Sequence, residues 1–246
     1  MPDVAAERLA PVPTEGVDCV PFGRPVRRLA GRPQQWQAAS PEEGQGVERI
    51  PSAKRAMPAD GGLVTEIITL AFANDPLWSW ALRREDGRSD HQRAFWRLFV
   101  EGALRYQWTW ITDRGEATSI WIPPGGNELS EEQEERLSEL AAEHLGSAAA
   151  DYLELLARFD ASHPRADPHY YLTLLGTHPS HRGRGIGMWL LAHDLELIDR
   201  EHRPAYLESS NPVNNRRYES VGFAPLGGFS YPGNGPHVTT MWRPAH

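Results

Sequence analysis

The stretch His169-Tyr170-Tyr171-Leu172-Thr173-Leu174-Leu175-Gly176-Thr177, continued by His178-Pro179-Ser180-His181-Arg182-Gly183-Arg184-Gly185-Ile186-Gly187, decides the fold. Its first half reads as a strand and ends where Pro179 and the glycines begin. From Gly185 to Arg200, Leu190, Leu191, Leu195 and Ile198 recur at helical spacing. A strand therefore passes through a Gly/Arg turn into a helix. Glycines in such a turn let successive backbone N–H groups converge on one anion with no Cβ in the way. The helix adds the positive end of its dipole, and Arg182 and Arg184 add charge-assisted donors. The same residues also read as a plain glycine-rich connection.

Other phosphate loops fit less well. Met188 stands where the dinucleotide-binding fingerprint needs a third glycine, and the Gly-Lys-Ser/Thr of the Walker loop is absent. Gly-x-Ser-x-Gly and His-Glu-x-x-His are absent too, which removes the usual signs of serine hydrolases and zincins. His178 and His181 are spaced for a metal but have no third ligand in sequence reach, so no metal site is expected.

Downstream, Ala205–Ser209 reads as a strand, Asn214–Ser220 as a short helix, and Phe223–Phe229 and His237–Trp242 as closing strands. Upstream, Val47–Pro51 reads as a short strand. Asp60 caps an apolar helical stripe from Leu63 to Phe72, which stops at Asn74-Asp75-Pro76. Trp78, Trp80 and Leu82 follow in a loop or short helix, and His91–Leu104 is another helix. Gln107–Thr112 and Ala117–Ile122 form a hairpin about Asp113-Arg114-Gly115. Ser130 opens an acidic helical stretch to Phe159, broken at Gly146. The pattern is α/β (α+β), with hairpins at its start and end.

Residues 1–44 hold seven prolines and no regular period, so they read as a disordered arm with Arg24, Arg27 and Arg28 as a small basic cluster. Residues 45–246 form the folded domain. At 40% hydrophobic and 24% charged residues, a chain of 246 can bury a core without cross-links. Cys19, the one cysteine, rules out a disulfide framework. A net charge of −8 argues against nucleic acid as a partner. No apolar run is long enough to span a bilayer and no secretory leader is visible, so a cytoplasmic protein without membrane contact is expected.

The loop from His178 to Gly187 resembles the pyrophosphate loop of the GNAT superfamily of N-acetyltransferases. Arg182, Gly185 and Gly187 match that family's Gln/Arg-x-x-Gly-x-Gly/Ala signature. Tyr206-Leu207-Glu208-Ser209-Ser210-Asn211 and Asn214 to Phe223 resemble its second block. Ala71-Phe72-Ala73-Asn74-Asp75-Pro76, the tryptophan-rich hairpin and Leu207-Glu208-Ser209 with Asn214 further resemble enzymes of the puromycin N-acetyltransferase type. High Ala, Arg, Gly and Pro usage fits a high-GC actinobacterial coding bias.

The resemblance implies a GNAT fold, a mixed and mostly antiparallel twisted sheet of six to seven strands flanked by helices. It also implies acetyl-CoA as acetyl donor and direct transfer to an amine, without an acyl-enzyme. Backbone groups of Leu175, Gly176 and Thr177 would line the pantetheine arm, and the loop amides from Arg182 through Gly183, Arg184, Gly185 and Ile186 to Gly187 would hold the pyrophosphate. Tyr218 would protonate the leaving sulfur, or else be a core tyrosine. Glu208 would take the amine's proton, or else be a structural carboxylate. Asn214 would contact the cofactor or cap its helix.

Phe72, Trp78, Trp80 and Trp96 fall where related enzymes build the acceptor pocket, and aromatic walls suit a bulky or aromatic amine. A small-molecule amine, such as an antibiotic or other secondary metabolite, is the expected acceptor for a monomer or homodimer. A protein lysine or N-terminal acetyltransferase and a non-catalytic CoA-binding regulatory module are the alternatives. Acyl chain length and transfer to a hydroxyl stay open.

Overall fold

A computed structural model describes residues 51–230 and 235–246. The expected arm and most of the Val47–Pro51 strand lie outside them. The first described strand is β1 (Ala53–Arg55). It is followed by α1 (Gly61–Phe72), α2 (Pro76–Ala81), α3 (Gln92–Ala103), β2 (Thr109–Thr112), β3 (Ala117–Ile122), α4 (Glu131–His144) and α5 (Ala149–Ser162). Then come β4 (Tyr170–Thr177), α6 (Ile186–Arg200), β5 (Ala205–Ser209), α7 (Asn215–Glu219), β6 (Ala224–Ser230) and β7 (His237–Arg243).

The strands form one seven-stranded sheet in the order β1-β2-β3-β4-β5-β7-β6. Every pairing is antiparallel except β4 with β5. Helices cover both faces. On one, α1 to α5 pack Ile67, Ile68, Phe95, Trp96 and Leu155 against Ile111, Ile120 and Leu174. On the other, α6 sets Leu190, Leu191, Leu195 and Ile198 against Trp121, Leu172 and Leu207. Burying those four α6 side chains contributes roughly 6–12 kcal/mol before entropy is subtracted. No helix of the described residues is long and apolar enough to cross a membrane.

Local chemistry sets the helix ends. Ser130 and Gln133 make a reciprocal capping box at the start of α4, and Gln133 Nε2 donates to the Leu98 carbonyl of α3 at 3.3 Å. Asp60 does not cap α1. Its carboxylate instead accepts from the Met57 N–H at 2.8 Å and from Lys54 at 2.9 Å, closing the preceding turn. Asp75, expected only as a turn residue, caps α2 by accepting from the N–H groups of Leu77 and Trp78.

Two irregularities of β4 position everything that follows. Ile120 pairs with Leu174 and Trp121 with Leu172, so Thr173 is an extra, bulged residue. The bulge reverses the faces, and Tyr170 and Leu172 point to α6 while Leu174 points to the α1 side. The parallel register of β4 with β5 runs only from Tyr170↔Ala205 to Leu172↔Leu207, although β4 continues to Thr177 and β5 to Ser209. Beyond Leu172 the two strands part.

An unforeseen network anchors α6. Asp194, fully buried, accepts hydrogen bonds from Ser119 Oγ at 2.5 Å, Trp121 Nε1 at 2.9 Å and His193 Nδ1 at 2.9 Å. Burial pushes its carboxyl upward against those three donors. Two of them belong to β3, so the network fixes how α6, and the loop at its start, sits on the sheet.

Candidate active site

The parting of β4 and β5 opens into a cleft of about 1290 Å³. That exceeds the roughly 300–1,000 Å³ of an ordinary small-molecule pocket, enough for two molecules to meet. At one end lie Thr177, Arg182, Gly183 and the start of α6 from Gly185 to Met188. Gly183 and Gly185 have φ of +80° and +73°, which a side chain would strain. A Cβ on Gly187 would stand 2.5 Å from Thr177 Oγ1, so glycine lets the helix press against β4. The N–H groups of the first turn of α6 have no acceptor within the helix, which suits them to an anion.

The expected loop residues divide. Arg182 lines the cleft, but its guanidinium donates to the Ala71 carbonyl at 2.6 Å and so ties the loop to the end of α1. Arg184 is exposed and lies outside the cleft wall. Leu175 and Thr177 line the cleft, whereas the Cβ position of Gly176 faces Ala71 and Ile68 of α1 at 3.0 Å. The His178 and His181 rings lie 5.8 Å apart at a tilt of 59°, and no cluster of His, Cys, Asp or Glu suited to a metal occurs among the described residues.

Midway along the cleft, α7 presents Tyr218 and Asn214 stands just before it. Burial, helped by the nearby Asp75 carboxylate and opposed by Arg217, pushes the Tyr218 phenol up to about 12. It therefore keeps its proton at neutral pH. Asn214 makes no side-chain cap. Its Oδ1 accepts from Arg217 at 2.9 Å, while Asn211 caps the turn before it through the Val213 N–H. Asp75 also accepts from Ser210 Oγ at 2.8 Å, pinning the α2 segment to the residue after β5.

The far end is aromatic. Trp78 stacks on Phe159 with centroids 5.8 Å apart and meets Trp96 edge-on at 5.0 Å, and Phe72 lies 5.1 Å from Trp96. These four line the cleft. Trp96 Nε1 is buried with no hydrogen-bond partner among the described residues. Trp80 does not line the cleft; it lies beneath the Arg83 guanidinium at 4.8 Å. Helical periodicity explains the split, because Trp78 and Trp80 are two residues apart and face different sides of α2.

Two carboxylates enter this end. The Glu208 side chain is only 2% exposed, and its Oε1 has no hydrogen-bond partner among the described residues. His163 Nδ1 lies 3.8 Å from that oxygen. Glu128 accepts a hydrogen bond from Thr173 Oγ1 at the bulge. Burial, with the charge of Glu208 adding to it, pushes the Glu128 carboxyl up to about 7. Its segment is clamped from α3 and the residues after it. A Cβ on Gly102 would lie 2.1 Å from the Glu128 carbonyl, Arg105 donates to the Asn127 carbonyl at 3.0 Å, and Tyr106 Oη bonds both the carbonyl and the N–H of Asn127.

Sequence reading missed Glu128, Phe159, His163 and His169. No spacing signal links Glu128 to Thr173, 45 positions away. The adjacency exists only because β3 lies beside β4.

Residues 105–223 match the model of the Acetyltransferase (GNAT) family. The fold is similar to that of histone acetyltransferase HPA2 and related acetyltransferase from Corynebacterium glutamicum, with 24% identity, TM-score 0.56, and 80% of this chain and 97% of that one covered. It is similar to arylalkylamine N-acetyltransferase 2 from Aedes aegypti at 15% identity and TM-score 0.59, covering 80% and 100%. It is also similar to the Drosophila melanogaster polyamine N-acetyltransferase that forms N-acetylagmatine, at 15% identity and TM-score 0.57, covering 79% and 100%. Residues 105–223 therefore carry an acetyltransferase domain of the GNAT family, built on the parting of β4 from β5.

Proposed function

We propose that this protein transfers the acetyl group of acetyl-CoA directly to the primary amine of a small cationic molecule with an apolar body. The observation that carries this reading is one continuous cleft. It joins an anion-binding helix start to an aromatic pocket with two carboxylates, through the gap between β4 and β5. The amides of Gly183 and Gly185 to Gly187 hold the pyrophosphate, and Leu175 and Thr177 flank the pantetheine arm. Phe72, Trp78, Trp96 and Phe159 enclose the apolar body of the acceptor.

Glu128, ionised above pH 7, attracts the ammonium group. Glu208 takes one proton from it, and the neutral amine attacks the acetyl carbonyl. Tyr218 gives its proton to the departing sulfur and is reprotonated by the second proton that nitrogen loses. The named activities of the mosquito and fly enzymes, on arylalkylamines and on agmatine, agree with such an acceptor. An antibiotic amine of the aminonucleoside type fits the same pocket chemistry.

The test is calorimetric titration with acetyl-CoA, then a thiol-release screen against arylalkylamines, agmatine, puromycin-like aminonucleosides and lysine peptides. Release with a small amine supports the reading. Release with peptides alone replaces it by protein acetylation, and binding without release from any amine favours a CoA-binding regulatory module.

A further inference from the structure

Glu208 is the end of a longer array. His163, just after α5, sets Nδ1 3.8 Å from Glu208 Oε1 and Nε2 3.1 Å from Nε2 of His169. His169 sets its own Nδ1 2.6 Å from the backbone carbonyl oxygen of Asp167. These contacts determine where the ring hydrogens lie. A carbonyl only accepts, so His169 carries its hydrogen on Nδ1. Burial lowers the basicity of His169, leaving Nε2 as a bare lone pair near neutral pH. The 3.1 Å contact is then a hydrogen bond only if His163 donates from Nε2. The remaining atom, His163 Nδ1, faces Glu208 and is the one ring position free to gain a proton.

We propose that His163 is the proton store behind Glu208, and that His169, held by the Asp167 carbonyl, is the positioning residue that fixes the tautomer of His163. This rests on the transfer reading above. The ammonium group loses one N–H proton to Glu208 Oε1, and that proton passes to His163 Nδ1 once the 3.8 Å contact tightens to hydrogen-bond distance around the bound substrates. Glu208 is again a carboxylate and His163 an imidazolium. The amine attacks, the C–S bond breaks, and the Tyr218 proton reaches sulfur. With 22% of its side chain exposed, His163 then returns its proton to water.

The array conducts no further, because the Asp167 carbonyl cannot take a proton. The charged and titratable groups around His163 are the carboxylates of Glu208 and Glu128, the ring of His169, and Tyr171 and Tyr206, whose rings each lie 4.9 Å away edge-on. Neither tyrosine competes for the proton, since burial first and then the nearby carboxylates keep both phenols protonated.

Nitrogen-15 NMR of the histidine rings in the free protein tests this without any substrate. The expected result is that His163 carries its ring hydrogen on Nε2, a preference that weakens in Glu208→Gln and is lost in His169→Gln. A His163 protonated on Nδ1, or one indifferent to Glu208→Gln, overturns the proposal.

Kinetics add a second readout with any amine found to turn over. His163→Gln should lower kcat/KM by about 100-fold at pH 7, the lower end of a general-base contribution. The deficit should shrink as rising pH delivers neutral amine, acetyl-CoA affinity should not change, and free imidazole should restore part of the rate to His163→Gly. A pH profile parallel to that of the parent rejects the store while leaving acetyl transfer intact. Absence of acetyl-CoA binding rejects the transfer reading, and the NMR result still decides the assignment of His163.

Discussion

Glu128→Gln is the substitution whose effect can be sized most directly. In the folded protein the carboxyl is pushed up to about 7 from an ordinary value of 4.5. At about 1.4 kcal/mol per pH unit, that difference corresponds to about 3 kcal/mol. Water in the cleft that Glu128 lines makes this an upper bound. The sign follows from which form the site prefers. The folded protein holds this proton more tightly than the unfolded chain does, so the contribution is full below about pH 4.5 and is lost as pH rises through about 7. Glutamine is uncharged at every pH and keeps an oxygen for Thr173 Oγ1. Denaturant unfolding of both proteins from pH 4.5 to 8.5 is the assay. The two should be nearly equal in stability at the acid end, and the variant should gain up to about 3 kcal/mol by pH 8.5. Stability curves with a constant separation would show that Glu128 is well solvated, and the reasoning from burial would fail. In turnover, the variant should raise the acceptor KM at pH 8 and hardly at pH 6.

Other outcomes follow from single contacts. Gly187→Ala drives a methyl to 2.5 Å from Thr177 Oγ1. It should weaken acetyl-CoA at least 10-fold by calorimetry, and Thr177→Ala added to it should recover much of the loss. Tyr218→Phe should cut kcat by about 10² while acetyl-CoA affinity stays level, as removal of a general acid does; full activity at all pH values would assign the ring to packing alone. Asp194→Ala strands the buried Ser119 and Trp121 donors and should cost about 3–5 kcal/mol in unfolding experiments, the range for breaking a buried charged network.

The fold and its strand-to-helix glycine junction were legible because their signals are local. Alternating and helical periods, Ser130 before an acidic turn, and glycines at a strand-to-helix junction each act through residues a few positions apart. The aromatic end of the cleft was legible only in part. Composition marks Phe72, Trp78, Trp80 and Trp96, but the pitch of α2 sends Trp80 away from the cleft and sets Trp78 against Phe159, 81 positions on.

What the sequence by itself determined is the strand, glycine turn and helix proposed to hold a pyrophosphate, the order of elements around them, and Tyr218 and Glu208 as residues to follow. What only the tertiary structure decided is the acid–base environment at the far end of the cleft. The bulge at Thr173 brings Glu128 to the central strand, the early end of the β4–β5 register exposes the gap, and the turn after α5 sets His163 between Glu208 and His169. These groups lie tens of positions apart in the chain. Burial and a neighbouring charge, which shift a carboxyl's affinity for its proton, exist only once the strands are side by side.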